Sequence, residues 1–578
     1  MKRILAFLLI YAGALQAQLP FTLVNANLYQ AGNSFSAWGD FDQDGDLDLA
    51  LTGDNGGTPM TILYRNDSGT FVDVNANLPG VNFSSCEWGD FEPDGDLDLL
   101  ITGYNSGGIP KTYIIKNNNG VFSESGILFT GVAEGQAAWG DFDNDQDLDI
   151  LLVGKGIAVI YRNDGNDIFT DIPSPMIPVW GAFCNWVDYN NDGLLDAMIA
   201  GDSGSGMITN LYRNEGGIFT EVIISPAPFL GLASGHAEWG DLNGDGRMDM
   251  IETGMDVNGD GHILIYQNDC NDQFTEINNY DFQVKLSSLD IGDYDNDGLP
   301  DWILVGKIPG CGGTAVTQLY HNEGFMVFFD VSTLIPGISI GSASFGDYNN
   351  DGYSDLLING MNGYDVPKTE LYRNNLGNTL FVMNTPPAQP SGLTVTPDGN
   401  DIILKWYHST DAETPTSGLS YNVFLGSQPT IADVFTSMSD LTTGFRHVVT
   451  MGNTGQDTTW RIKGLEEGDY YWSVQTIDNG FLASQFSPVE SFTFTPVGLP
   501  DDDFYGISIT PNPATSYISI HGNNITMIEI YSMSGEMKYH GTEPVVNTVA
   551  WPAGIYLVKV ITESRIWAGR IIKVYQGN

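Results

Sequence analysis

A nine-residue acidic loop recurs seven times in this 578-residue chain, about every 50 residues. The first three copies, at loop positions 1, 3, 5, 7 and 9, are Asp40, Asp42, Asp44, Asp46 and Asp48; Asp90, Glu92, Asp94, Asp96 and Asp98; and Asp141, Asp143, Asp145, Asp147 and Asp149. The fourth and fifth are Asp188, Asn190, Asp192, Leu194 and Asp196, then Asp241, Asn243, Asp245, Arg247 and Asp249. The sixth and seventh are Asp293, Asp295, Asp297, Leu299 and Asp301, then Asp347, Asn349, Asp351, Tyr353 and Asp355. A repeat of this length is one supersecondary unit packed on its copies, so it constrains the fold before any other feature. Carboxylate or amide oxygens at positions 1, 3, 5 and 9 of a tight turn suit a hard cation, above all Ca²⁺.

Each loop is followed by a short apolar run ending in Gly or close to it, such as LDLALTG after the first and LDILLVG after the third. Such runs read as buried strands. A second signature comes next: LYRND at Leu63, YIIKNN at Tyr113, IYRND at Ile160, LYRNE at Leu211, IYQND at Ile265, LYHNE at Leu319 and LYRNN at Leu371. Turn residues then lead to an aromatic strand, as in TFVDV at Thr70 and IFTDI at Ile168. One more strand precedes each loop. It carries Trp38, Trp88, Trp139, Trp186 and Trp239 at one shared position, with Ile291 and Phe345 in the last two copies. Four strands per unit in radial repetition predict a seven-bladed β-propeller, with the Trp column packing between blades. An extra aromatic strand at Phe21 is expected to join the last blade and close the ring.

The loops resemble FG-GAP repeats, also called VCBS-type repeats, the units of the integrin α-subunit propeller. The resemblance implies side-chain oxygens from positions 1, 3, 5 and 9, a backbone carbonyl from position 7, and up to seven Ca²⁺, one per blade. Gln146 replaces the turn Gly of the third copy, where positive φ is wanted, and predicts local strain. Charge predicts tighter binding in the first two loops than in the seventh. An EF-hand needs Glu at position 12 and flanking helices. Position 12 is Leu51, Ile101, Leu152, Ile199, Glu252, Leu304 and Ile358, so that reading fails. A partial loop from Asp256 ends in Leu264 and reads as an Asp/Gly turn.

The formal net charge is −50, and the loops hold 28 of the 72 acidic side chains. This excess opposes nucleic acid and anionic membranes as partners. Residues 1–17, with Lys2, Arg3 and an apolar core, read as a secretory signal peptide, and no transmembrane segment is expected. Cys86 and Cys184 read as small buried residues, while Cys270 and Cys311 are candidates for pairing.

The propeller is expected over 18–384. A Pro-rich linker then leads to strand signals over 385–498, with Trp406 as a core residue and Tyr470 to Thr476 as a central strand. This stretch looks like a fibronectin type III-like β-sandwich, a class of module that serves as a spacer. After a short acidic link at 499–504, residues 505–578 resemble the C-terminal sorting domain of type IX secretion in Bacteroidota. The features that match are Pro511-Asn512-Pro513, the turn around Ile530 to Gly535, Gly554 to Val558, and Arg570 to Val574. The expected fold class is therefore all-β: a seven-bladed propeller followed by two β-sandwich domains. The resemblance implies export through the type IX machinery, then surface attachment or release.

No catalytic residue stands out. The seven His are scattered, and no nucleophile elbow, zincin motif or phosphate loop occurs. The leading expectation is a secreted or surface Ca²⁺-binding scaffold for adhesion to an extracellular protein or glycan. A hydrolase or lyase acting on polysaccharide, or a structural component of a surface layer or motility apparatus, are the alternatives. Fold alone does not choose among them.

Overall fold

A computed structural model describes residues 19–277, 283–309, 313–331, 333–377, 380–496, 508–510, 514–521, 525–532, 536–562 and 566–574. Residues 1–17, Cys311, the 499–504 link, Pro511 to Pro513 and Met533 to Gly535 lie outside this set. The chain is all-β, with no α-helix among the described residues. Its repeat is a four-stranded antiparallel sheet. In the first unit the strands are Gly32–Gly39, Asp48–Asn55, Thr58–Asn66 and Phe71–Asp73. Loop position 9 opens the second strand and pairs with the residue before the loop, as Gly39 with Asp48 and Gly346 with Asp355. Each acidic loop is thus the hairpin joining the first two strands of a unit.

Five units form separate four-stranded sheets, and the last two are joined by the single pair Val316–Ile338. The seventh unit takes its fourth strand from the other end of the repeat. Phe21–Val24 pairs antiparallel with Pro367–Asn374, Phe21 opposite Asn374. The N-terminal strand closes the last blade as the sequence predicts, and the arrangement is a β-propeller.

The aromatic column explains the Gly of the WGD motif. A Cβ on Gly39 would lie 2.7 Å from Trp88 Cδ1 of the next unit, and one on Gly89 2.7 Å from Trp139 Cδ1. Each indole occupies the space a side chain would need on its neighbour. The same contact closes the ring, where a Cβ on Gly346 would lie 2.7 Å from Trp38 Cδ1. Ser34 and Asn359 add a 2.6 Å hydrogen bond across that seam, and Asn359 Nδ2 donates to Ser36 Oγ at 2.6 Å. Cys86 and Cys184 are buried, as expected of small core residues.

Beyond the propeller lie two three-stranded sheets. One contains Ser391–Asp398, Asp401–Tyr407 and Thr459–Ile462; the other contains Ser420–Gly426, Gly468–Ile477 and Glu490–Phe494. Trp406 is buried against Tyr421 and Trp472, and Gly468–Ile477 is the middle strand of its sheet. Residues 403–463 and 469–493 belong to one compact unit with the propeller. Their loops lie on its acidic loops: the Asp90 amide donates to His447 O at 2.9 Å and the Lys463 amide to Asn191 O at 2.7 Å. A free spacer would make no such bonds, so the spacer expectation does not hold.

The C-terminal unit has its own core of Ile518, Ile520, Ile528, Ile530, Tyr556, Val558 and Val560. One sheet of it pairs Ser508–Thr510, Tyr517–His521 and Val545–Asn547. The other orders Met537–Gly541, Ile525–Ser532, Gly554–Thr562 and Ile566–Lys573.

The Gly–Trp contact makes a graded prediction. Gly346→Ala places a methyl inside the Trp38 ring contact and should destabilise by about 1–3 kcal/mol. Gly240→Ala meets only Ile291 Cδ1 at 3.7 Å. It should be neutral, or stabilising by up to about 1 kcal/mol. Denaturant midpoints of the two variants check the order.

Candidate cation loops

The loops share one hydrogen-bond scheme. The position-1 carboxylate accepts the amides of positions 5 and 6, as Asp40 does from Asp44 at 3.1 Å and Gly45 at 2.9 Å. Asp90, Asp141, Asp188, Asp241, Asp293 and Asp347 repeat this. The position-5 carboxylate accepts the amide of position 7: Asp44 from Asp46, Asp94 from Asp96, Asp145 from Asp147, Asp192 from Leu194, Asp297 from Leu299 and Asp351 from Tyr353. Position 6 needs positive φ, which Gly45 meets at 89°. Gln146 is held at 76°, in a region that an L side chain enters at a cost.

Position 9 is fully buried in every copy: Asp48, Asp98, Asp149, Asp196, Asp249, Asp301 and Asp355. Each accepts the backbone amide of the Asn in the second signature, at 2.7–2.8 Å for Asn66, Asn117, Asn163, Asn214, Asn268, Asn322 and Asn374. The Asn side chain then reaches the preceding blade. Nδ2 of Asn117 donates to Phe41 O, of Asn163 to Phe91 O, of Asn214 to Phe142 O and of Asn268 to Tyr189 O, all the position-2 carbonyl of the loop before. Asn322, Asn374 and Asn66 do the same to Leu242, Tyr294 and Tyr348. The YRN signature is therefore a latch between blades, a role its spacing alone does not show.

Position 4 supplies a second latch. Asn144 Nδ2 donates to Gly193 O, Asn191 to Gly246 O, Asn296 to Gly352 O and Asn350 to Gly45 O, at 2.8–3.0 Å. The last of these again crosses the ring seam.

Three carboxylate oxygens converge within 4.8 Å of one another at Asp40, Asp42 and Asp48, at Asp141, Asp143 and Asp149, and at Asp293, Asp295 and Asp297. Other loops spend their charge differently. Glu92 pairs with Lys116, which also holds Asp167. Arg247 pairs with Asp245 and donates to Asn268 O at 2.6 Å. Asn243 Nδ2 donates to Asp249, and Asn349 Nδ2 to Asp351. The partial loop at Asp256 is a hairpin turn whose carboxylate accepts the amides of Asn258 and Asp260.

Burial, and then neighbouring carboxylates, push the loop acids upward: Asp48 and Asp149 to about 9, Asp98 to about 8 and Asp40 to about 7. Asp98 Oδ2, Asp143 Oδ1, Asp196 Oδ2 and Asp295 Oδ1 are buried without a hydrogen-bond partner. Buried oxygens of this kind are costly unless a cation or donor meets them. The donor set is all oxygen, rich in charge and held by a rigid turn, so these residues fit Ca²⁺.

The second module also touches the loops through side chains. Thr436 Oγ1 donates to Asp141 Oδ2 at 2.8 Å, and Gln456 Nε2 to Asp293 Oδ2 at 2.7 Å. A cavity of about 470 Å³ is lined by Glu87, His236, Glu238 and Asp290 of the propeller and by Met438 and Met451 of the module.

Comparison with known proteins agrees with this geometry. FG-GAP-like repeats match at 40–101, 90–152, 141–199, 188–252 and 293–358, and a secretion system C-terminal sorting domain matches at 508–574. The chain thus carries FG-GAP-like repeats within a propeller fold. Its sorting domain assigns it to the type IX secretion machinery and to the cell surface or extracellular space. No helix among the described residues is long and apolar enough to cross a membrane. No curated protein matches the chain in sequence. Among solved structures, a lectin from Agrocybe aegerita that recognises non-reducing terminal N-acetylglucosamine is 16% identical, with a TM-score of 0.36, over 59% of this chain and 100% of the lectin. The extracellular domain of a hybrid two-component system from B. thetaiotaomicron is 11% identical, with a TM-score of 0.35, over 82% of this chain and 57% of that one.

Glu252, at position 12 of the fifth copy, gives a pH prediction free of the loops. It is fully buried, accepts Thr209 Oγ1 at 2.5 Å, and is pushed up to about 8 by burial. A carboxyl raised in the folded state keeps its proton there while the unfolded chain loses it. Its contribution is therefore full below about 4.3 and falls as pH rises to about 8. Glu252→Gln keeps an acceptor for Thr209 and removes this slope. Its thermal midpoint should match the parent near pH 4.5 and exceed it by about 2 °C or more at pH 8.5.

Proposed function

We propose that this exported propeller is a Ca²⁺-stiffened scaffold that binds an extracellular protein or glycan, with one Ca²⁺ in each of up to seven loops. The observation that carries the reading is the set of buried, unpartnered carboxylate oxygens at loop positions 3 and 9, represented by Asp143, Asp295, Asp98 and Asp196. Without a cation these oxygens and their charged neighbours oppose folding. A cation that binds only the folded loops stabilises them by mass action. The ligand-facing role follows from export to the surface and from a repeated fold without an evident nucleophile or acid–base pair in its sequence. Convergence at Asp40, Asp42 and Asp48, with five acidic side chains and Gly45 at the turn, favours the first loop over the third, where Gln146 strains the turn, and over the less charged seventh. The Glu92–Lys116 pair lowers the rank of the second.

Millimolar Ca²⁺ should raise the thermal midpoint of the propeller and EDTA should lower it. Elemental analysis should find several Ca²⁺ per chain. A glycan and surface-protein binding screen with and without EDTA then tests the scaffold role. An EDTA-insensitive midpoint together with absent calcium rejects the cation assignment. Calcium bound without any ligand from the screen counts against the adhesion role.

A further inference from the structure

One blade departs from the others at the residue before the signature Asn. That residue is Arg65, Arg162, Arg213 and Arg373 in four blades, Lys116 and Gln267 in two, and His321 in the sixth. A guanidinium stays protonated and cannot ligate a metal; a neutral imidazole can. His321 Nδ1 lies 3.1 Å from Asp301 Oδ1 and 3.4 Å from Asp295 Oδ2, at positions 9 and 3 of the sixth loop. One ligand atom from each of these three residues falls within 4.8 Å of the other two. With metal–nitrogen and metal–oxygen bonds of about 2.0–2.2 Å, neighbouring donors around one ion stand about 3.0–3.5 Å apart. The observed spacing fits that range.

Three further observations bear on the sixth loop, the first two shared with the third loop and the last its own. Asp295 Oδ1 is buried without a partner. The position-1 carboxylate, Asp293, already accepts the Gln456 side chain at 2.7 Å besides its two loop amides. The imidazole stands edge-on to Tyr294, 6.1 Å between centroids, and its far nitrogen faces Asp297 and Glu323, each at 3.9 Å. A carboxylate behind a ligating imidazole fixes its tautomer and raises its basicity. Imidazole with carboxylate suits borderline divalent ions of the zinc class, whereas Ca²⁺ takes oxygen.

We propose that the sixth loop is a mixed nitrogen–oxygen site formed by His321, Asp295 and Asp301, which takes a divalent transition ion of the zinc class in place of Ca²⁺. The inference rests on the loops being cation sites, and it gives this one blade a different ion from its six sisters.

Co²⁺ serves as a spectroscopic probe. The full chain, stripped with EDTA and returned to millimolar Ca²⁺, is titrated with Co²⁺, and Co²⁺ is then displaced with Zn²⁺. The parent should bind one tight equivalent with visible d–d bands. His321→Arg, which installs the residue of four sister blades, and His321→Gln should each weaken that equivalent by about tenfold or more. Both should leave the count of Ca²⁺ in the other loops unchanged. Equal Co²⁺ uptake by parent and variants overturns the proposal. So does a parent that takes Ca²⁺ in its loops but no tight Co²⁺. The converse, tight His321-dependent Co²⁺ with no Ca²⁺ anywhere, leaves this site standing and defeats the Ca²⁺ scaffold instead.

Discussion

The buried carboxylate at loop position 9 is the interaction on which the propeller depends. Asp48, Asp98, Asp149, Asp196, Asp249, Asp301 and Asp355 are each fully buried at the start of a second strand. Each fixes the backbone of an Asn in the third strand, and that Asn binds the loop of the preceding blade. One residue thus ties an acidic loop, its own sheet and the neighbouring sheet together. A buried carboxylate in such a place is costly unless its charge is met. Two amides supply part of that compensation, for example those of Phe41 and Asn66 at Asp48. A cation would supply the rest, so its binding should be felt across the blade boundary and not only within the loop.

Much of this was legible in the sequence because it repeats. Strand number per unit, the positions of the loop oxygens and the closing strand at Phe21 follow from period and pattern. The latches were not legible. The acceptor of Asn117 Nδ2 is Phe41 O, 76 residues earlier, and a carbonyl leaves no mark in a sequence. The recurring Asn of LYRND and the recurring Asn at loop position 4 were the visible signals, but their function lies in the next blade over. His321 was missed for a related reason: the loops and the second signature were read as separate motifs, and only the fold brings position 9 beside the residue before the signature Asn.

The contacts of the second module also escaped a reading by pattern. Its contacts with the loops run partly through backbone carbonyls, such as His447 O to the Asp90 amide and Asn479 O to the Asp347 amide. Thr436 and Gln456 add hydroxyl and amide donors to position-1 carboxylates. These neutral donors partly satisfy the acids without cancelling their charge. The loops therefore serve two neighbours at once, the adjacent blade and the module, and the rigidity of one conditions the other.

Backbone amide exchange at the seven latch residues tests this most directly. The amides of Asn66, Asn117, Asn163, Asn214, Asn268, Asn322 and Asn374 each end on a position-9 carboxylate. If the carboxylate couples the loop cation to the blade boundary, metal binding after EDTA treatment should slow exchange at all seven. Slower exchange confined to the loop segments, with the latch amides unchanged, would contradict the account.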